Sequence, residues 1–199
     1  SGTLLLEWGS SGSGDGQFDL MGGLTTDTSD NVYVVDRGNS RIQKFDSSGN
    51  FILKWGSSGT GNGQFSEPAG ITIDASGNLL VVDRGLYRVQ EVTDTVTDMS
   101  KWGTAGTGNG QLYSPAGVRV DSQGNVLIAD TVNHRVQKFS SGGVYISKLG
   151  TRGSSTNQFW YPTDVEIDNS GKILVADTFN GRIQQFQYDA TVSIDTLSV

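Results

Sequence analysis

The chain has 199 residues and 35% apolar side chains, which suits one domain or one repeat array with a packed core. Its formal net charge of −7, with 14 basic residues scattered along the chain, argues against nucleic-acid binding, because neutralising phosphates needs clustered Lys and Arg. No cysteine is present, which removes disulfides, thiolate nucleophiles and Cys-ligated zinc, and the longest aliphatic run, Leu79 to Val82, falls far short of the roughly 20 residues that cross a bilayer.

From the N-terminus, residues 4–8 read as a short β run ending at Trp8; Trp55 and Trp102 follow at intervals of 47, with Leu149 next in the series. The pair Gln17-Phe18 recurs as Gln64-Phe65, Gln111-Leu112 and Gln158-Phe159. Asp27, Asp74, Asp121 and Asp168 form one column, Asp36, Asp83, Asp130 and Asp177 a second, and Arg41, Arg88, Arg135 and Arg182 a third. A period kept without insertion marks a repeat architecture.

Within the second repeat, β runs at 70–74, 78–83, 88–92 and 98–102 are separated by turn residues, and we name these positions a, b, c and d. A four-stranded sheet of this size cannot bury both faces alone, so successive sheets must stack as blades. The expected fold is an all-β propeller of four four-stranded blades near 18–56, 65–103, 112–150 and 159–195, preceded by residues 4–8 as a lone outer strand.

The string 65–74 (FSEPAGITID), the Gly77-Asn78 turn, a strand b ending in Asp and the segment Asn133-His134-Arg135-Val136-Gln137-Lys138-Phe139 together resemble the NHL repeat. Pro68, Pro115 and Pro162 recur at the same offset, and the resemblance covers nearly the whole chain. It implies a propeller, usually six-bladed, that binds proteins or in some relatives RNA; a few relatives are lyases or hydrolases with metal sites at the central channel. Such a fold constrains activity weakly.

The sets Asp36/Asn39/Arg41, Asp130/Asn133/Arg135 and Asp177/Asn180/Arg182 could pass for an acid with a substrate-clamping arginine. Their repetition points instead to a charge-assisted pair that fixes the b–c connection in every blade. The second copy, Asp83 and Arg88, departs by placing Leu86 and Tyr87 in that turn, a candidate contact surface. The glycine-rich strings at 12–16, 59–63 and 106–110 read as flexible d-to-a connections, since no helix or Lys-Ser/Thr follows them, and Asp15 leaves open a structural calcium ion. No other cofactor is expected. His134, the single histidine, reads as a surface-loop residue, and Trp160, off the tryptophan period, as exposed. In strand a the middle position runs Thr25, Thr72, Arg119 and Glu166, so an ion pair between neighbouring blades is expected there. The alternative is a polar ligand site joined by Asp164, which replaces Gly23, Gly70 and Gly117.

Residues 192–194 fall where the fourth blade's own strand d belongs, so one of the two end strands is surplus. The leading expectation is therefore a non-enzymatic interaction or scaffold propeller that binds a protein or glycan through its loop face, without membrane insertion. The alternative is a structural subunit of an extracellular fibre or array whose copies exchange strands. A third possibility is a lyase or hydrolase. Richness in Ser, Thr, Gly and Asn with little Lys points to a secreted or cell-surface setting, with the cytoplasm left open.

Overall fold

The computed structural model describes residues 2–93 and 99–187. Strands a to d of the first blade are Met21–Thr26, Val32–Asp36, Arg41–Phe45 and Phe51–Trp55. Those of the second are Pro68–Ile73, Leu79–Asp83, Arg88–Val92 and Met99–Trp102, and those of the third Val118–Val120, Val126–Asp130, Arg135–Phe139 and Tyr145–Leu149. In the fourth, Pro162–Ile167, Ile173–Asp177 and Arg182–Phe186 form a, b and c; the expected strand d lies outside the described residues. Each blade is an antiparallel meander, and the b–c hairpins share one register, Asp36 opposite Arg41, Asp83 opposite Arg88, Asp130 opposite Arg135 and Asp177 opposite Arg182. The fold is thus a propeller of four small antiparallel sheets, as the sequence periodicity predicts.

The blades are joined by three apolar clusters, each drawn from two neighbours. The rear of the first blade (Tyr33, Val35, Ile42) packs on the front of the second (Phe65, Ile71, Leu79, Val81, Val92). The same columns meet again as Leu80, Val82 and Val89 against Leu112, Val118, Val126, Ile128 and Phe139. They meet a third time where Leu127 and Val136 pack on Phe159, Val165, Ile173 and Val175. Alternation along b and c sends every second side chain to opposite faces, so each blade fills two seams at once.

Along the inner edge the strands a approach so closely that a Cβ on Gly70 would collide with the Ala116 carbonyl of the next blade. That contact accounts for the glycine column at 23, 70 and 117.

The glycine-rich strings are not flexible links. Each is pinched shut by a two-residue parallel bridge, Ser10–Ser11 with Gln17–Phe18 in the first case and its equivalents in the other three. The Gln17 side chain fills the loop, its Oε1 accepting from the Gly14 amide, and Gly12, at φ +148°, has no room for a Cβ beside it. Asp15 faces the Lys54 ammonium across this loop. Among the described residues no group of three or more His, Asp or Glu side chains is placed to hold a metal ion.

A buried hub grips each loop. The fully buried Asp36 carboxylate accepts from the Asp19 amide, from Asn39 Nδ2, from Arg41 Nε at 2.6 Å and from Gln43 Nε2 at 3.1 Å. Arg41 then donates to the Ser13, Gly14 and Gln17 carbonyls, Asn39 to Gly12, and Gln43 to Gln17 while accepting from the Gly16 amide. Asp130, Asn133, Arg135 and Gln137 repeat the pattern in the third blade, and Asp177, Asn180, Arg182 and Gln184 in the fourth. The expected pairing is present, and it reaches about a quarter of a hundred residues upstream as well as across its own turn.

The second blade lacks the hub's Asn. Asp83 turns to the Ser66 and Glu67 amides, Leu86 offers only its backbone N–H at 3.3 Å, and Arg88 Nε is left 3.9 Å from the carboxylate without a hydrogen bond. Burial pulls the Arg88 guanidinium below its ordinary value, with Asp83 opposing that shift.

Residues 4–8, expected as an outer strand, form no ladder. Their side chains match the strand d register, but no strand c lies beside them among the described residues, and a strand is completed only by a partner. Trp8 nevertheless occupies the place its column dictates, its ring 6.1 Å from that of Phe45, as Trp102 lies 4.8 Å from Phe139.

Two predictions follow from the hub and the turns. Leu86→Asn should restore the missing hub member and stabilise the fold by about 1 kcal/mol in urea unfolding, the net worth of one well-placed hydrogen bond. In the a–b turn, burial acts to raise the Asp27 carboxyl, but bonds from the Asn31 side chain and amide, the Ser29 amide and Tyr33 outweigh it and hold the group at about 2, below its ordinary 3.8. Since the folded value is the lower one, this stability is complete above 3.8 and is lost as pH falls toward about 2. Circular dichroism should show a smaller loss across that window for Asp27→Asn, which keeps the turn acceptor but cannot ionise.

Candidate functional site

The Asp of each hub also sets the start of strand a. Asp36, Asp130 and Asp177 accept from the amides of residues 19, 113 and 160, so these positions stand at fixed places on the face that carries the b–c turns. The column reads Asp19, Ser66, Tyr113 and Trp160. The column it touches, in the b–c turn, reads Gly38, Gly85, Val132 and Phe179, the last two lying in short 3₁₀ turns at Thr131–Asn133 and Thr178–Asn180. From the first blade to the fourth this face passes from glycine and small polar residues to bulky apolar rings.

At the seam of the third and fourth blades the rings meet. Trp160 lies 5.7 Å from Phe179, Phe179 4.8 Å from Tyr161, and Tyr161 stands edge-on to His134 at 4.5 Å. Trp160 is 41% exposed and Phe179 61%. The Phe179 amide donates to the Trp160 carbonyl at 3.0 Å, which fixes the spacing of the pair, and the Thr163 and Thr178 hydroxyls meet beside it at 2.6 Å. Rings held by backbone bonds with one face left to solvent offer contact area at small entropic cost.

His134 is not a surface-loop residue. It is buried in the left-handed conformation at φ 56°, and its Nδ1 accepts from the Tyr161 amide at 3.1 Å across the blade seam. Burial, with Arg152 nearby, holds its imidazole below the ordinary value, so the ring is neutral at pH 7. Tyr87, in the equivalent position of the second blade, stacks on Tyr113 at 5.0 Å and 13°. Leu86 is half-buried beside it.

The strand a departures form a separate group. Arg119 Nε contacts Glu166 Oε2 at 2.7 Å between neighbouring inner strands, which is the expected inter-blade ion pair. Asp164 packs against the Gly117 backbone of the preceding blade; desolvation there pushes its carboxyl up, while the Arg119 guanidinium acts in the opposite direction. Of the residues singled out from sequence, the structure therefore brings His134 and Trp160 together, sets Leu86 and Tyr87 at the adjoining seam, and keeps Arg119, Glu166 and Asp164 on the inner strands. Tyr113, Tyr161 and Phe179 went unnoticed, although the column change from Asp19 to Trp160 and from Gly38 to Phe179 was visible along the repeat.

Sequence profiles agree with this geometry: the NHL repeat matches residues 112–139 and 159–186, and a 6-bladed β-propeller family matches residues 23–89. No curated protein sequence matches the chain. Among solved structures, a protein of unknown function from Bacteroides thetaiotaomicron superposes with a TM-score of 0.69 at 20% identity, over 83% of this chain and 46% of that one. Virginiamycin B lyase from Staphylococcus aureus gives 0.62 at 13% identity, over 86% and 56%, and a protein provisionally assigned as a gluconolactonase gives 0.67 at 16%, over 89% and 62%. At such identities the likeness is one of fold, and the chain spans little more than half the length of the lyase. With the 47-residue period, the blade meander and the profile matches in agreement, the chain belongs to the NHL-repeat β-propellers.

Proposed function

We propose that the chain is a non-enzymatic interaction propeller that engages a protein or glycan partner through the b–c face of its third and fourth blades. The observation that carries this reading is the exposed pair Trp160 and Phe179, backed by Tyr161 and the buried His134, at positions where the first two blades carry Asp19, Ser66, Gly38 and Gly85. Exposed aromatic clusters of this kind supply the anchors of interfaces, and pyranose rings and apolar side chains both stack on them. A net charge of −7 over the whole chain favours neutral or basic partners.

Two of the polar groups that a catalytic reading would draw on are already engaged in holding the fold. Arg119 is held by Glu166, and the single histidine uses Nδ1 to accept a backbone amide. A histidine-to-alanine variant of virginiamycin B lyase is described as catalytically inactive, and His134 has no exposed position from which to play a comparable part here. A secreted or cell-surface setting remains part of the proposal, resting on composition.

Glycan and peptide arrays probed with the labelled chain and with a Trp160→Ala/Phe179→Ala variant test the reading. Truncating two anchor rings is expected to weaken the wild-type contacts by about 30-fold or more, corresponding to about 2 kcal/mol, with an unchanged melting curve. Binding that survives both truncations would place the interface on another face.

A further inference from the structure

One peptide group at the seam of the third and fourth blades is clamped on both of its sides. The Trp160 carbonyl accepts from the Phe179 amide at 3.0 Å, and the N–H of the same group, which belongs to Tyr161, donates to His134 Nδ1 at 3.1 Å. A backbone N–H can only donate, so Nδ1 carries no proton and the neutral imidazole holds its hydrogen on Nε2. Tyr161 stands in the left-handed region at φ 52°, a conformation that a bulky residue keeps only under constraint. Leu20 and Ser114, its column mates in the first and third blades, make the same turn at φ 47° and 51° with only the carbonyl clamp, Gly38 N–H to Asp19 and Val132 N–H to Tyr113. The histidine is therefore not what forms the turn. It adds a group beside the peptide that changes from acceptor to donor on taking up a proton.

The surroundings offer an imidazolium little else. His134 is buried, and the charged group that acts on it is Arg152, of like sign, from the bridge Thr151–Arg152; burial first and then this guanidinium hold the ring below its ordinary 6.5. On its own hairpin Asp130 is taken up by Asn133, Arg135, Gln137 and the Tyr113 amide, and in the facing blade Asp177 by Asn180, Arg182, Gln184 and the Trp160 amide. A protonated Nδ1 meets the Tyr161 N–H donor against donor, and rotating that peptide presents the Trp160 carbonyl in its place.

We propose that the Trp160–Tyr161 peptide is a two-position switch worked by a proton on His134. With the ring neutral, the peptide ties Trp160 to Phe179. When Nδ1 takes a proton from solvent the peptide turns over: ψ of Trp160 and φ of Tyr161 change, Tyr161 leaves the left-handed region, the Trp160 carbonyl accepts from Nδ1–H, and the Phe179 amide is released. Trp160 stays anchored through its own amide on Asp177. On the reading of Trp160 and Phe179 as the binding face, on which this consequence rests, a partner held at neutral pH is let go in acid. Since the folded imidazole has the lower value, its contribution to stability is complete above 6.5 and declines as pH falls below it, with the peptide turning at the lower end of that decline.

Nuclear magnetic resonance of the isotope-labelled 199-residue chain, titrated from about pH 7.5 to about pH 4, tests the switch without a partner. The ring should begin protonated on Nε2 alone. As it titrates, the Tyr161 and Phe179 amides should shift with it, and the Phe179 amide should lose protection from solvent exchange by about tenfold or more. Arg152→Gln, which removes the like charge, should move this step to higher pH. His134→Asn, which tolerates the left-handed turn and does not titrate, should show no step, while the titration of Asp164 on the inner strand persists. A proton on Nδ1 at neutral pH, a Phe179 amide that stays protected as the ring titrates, a step that Arg152→Gln leaves in place, or the same step in His134→Asn would each overturn the proposal. Contacts captured on the peptide and glycan arrays at about pH 7.5 should weaken about tenfold or more at about pH 5, and at a higher pH in Arg152→Gln; contacts indifferent to pH overturn the release. Arrays that capture nothing at neutral pH overturn the interaction reading instead, and the two amides still decide the switch.

Discussion

The buried aspartate that ends strand b is the constraint on which the rest of this propeller turns. A carboxylate wholly removed from water is costly unless its lone pairs are met, and Asp36 meets them with a backbone amide, an asparagine, an arginine and a glutamine. Each partner brings something with it. The arginine and glutamine close the glycine-rich loop, and the amide fixes the first residue of strand a. The same carboxylate in the fourth blade thereby sets where Trp160 stands. Stability and the placing of the aromatic rings on the b–c face are two uses of one hydrogen-bond centre, and this is why a charged residue recurs in a column that otherwise lies among Val, Leu and Ile.

Much of this was legible in the sequence. The period, the strand limits, the Asp–Arg pair and the Arg119–Glu166 contact all follow from side chains whose role is set by their own repeat or by the identical neighbour. The glycine-rich strings were misjudged because flexibility was read from glycine content, while their order comes from Gln17 and from Arg41 and Gln43 lying far along the chain. Gln43, Gln90 and Gln137 are buried and polar, and nothing local marks them as hub members rather than surface residues of strand c. His134 was misplaced for a similar reason. A residue in a tight turn reads as exposed, and its burial is supplied by Tyr161 of the next blade. Residues 4–8 show the opposite case, in which the local pattern is correct for a strand and the ladder is missing for want of a neighbour.

The second blade shows how far the pattern tolerates loss. Without an asparagine the carboxylate takes two loop amides in place of one, and Arg88 keeps its grip on the Thr60, Gly61 and Gln64 carbonyls while its Nε goes unused. The loop is held even though the ion pair has lengthened. The ties that the arginine and the strand c glutamine make to the loop are therefore retained in all four copies.

The reach of the hub also settles where one unit ends and the next begins. Each centre binds a loop 24 to 28 residues upstream, so a whole centre with everything it holds, from Gly12 to Gln43 in the first copy, lies inside one 47-residue unit running from Gly9 to Trp55. The next such units start at Gly56, Gly103 and Gly150. A gene segment copied or excised at those glycines carries an intact centre with its loop, whereas a cut inside the loop or the b–c hairpin strands a charged aspartate or arginine without its partners. The lineage of this chain could lengthen or shorten by whole units at those boundaries while every buried charge stayed neutralised.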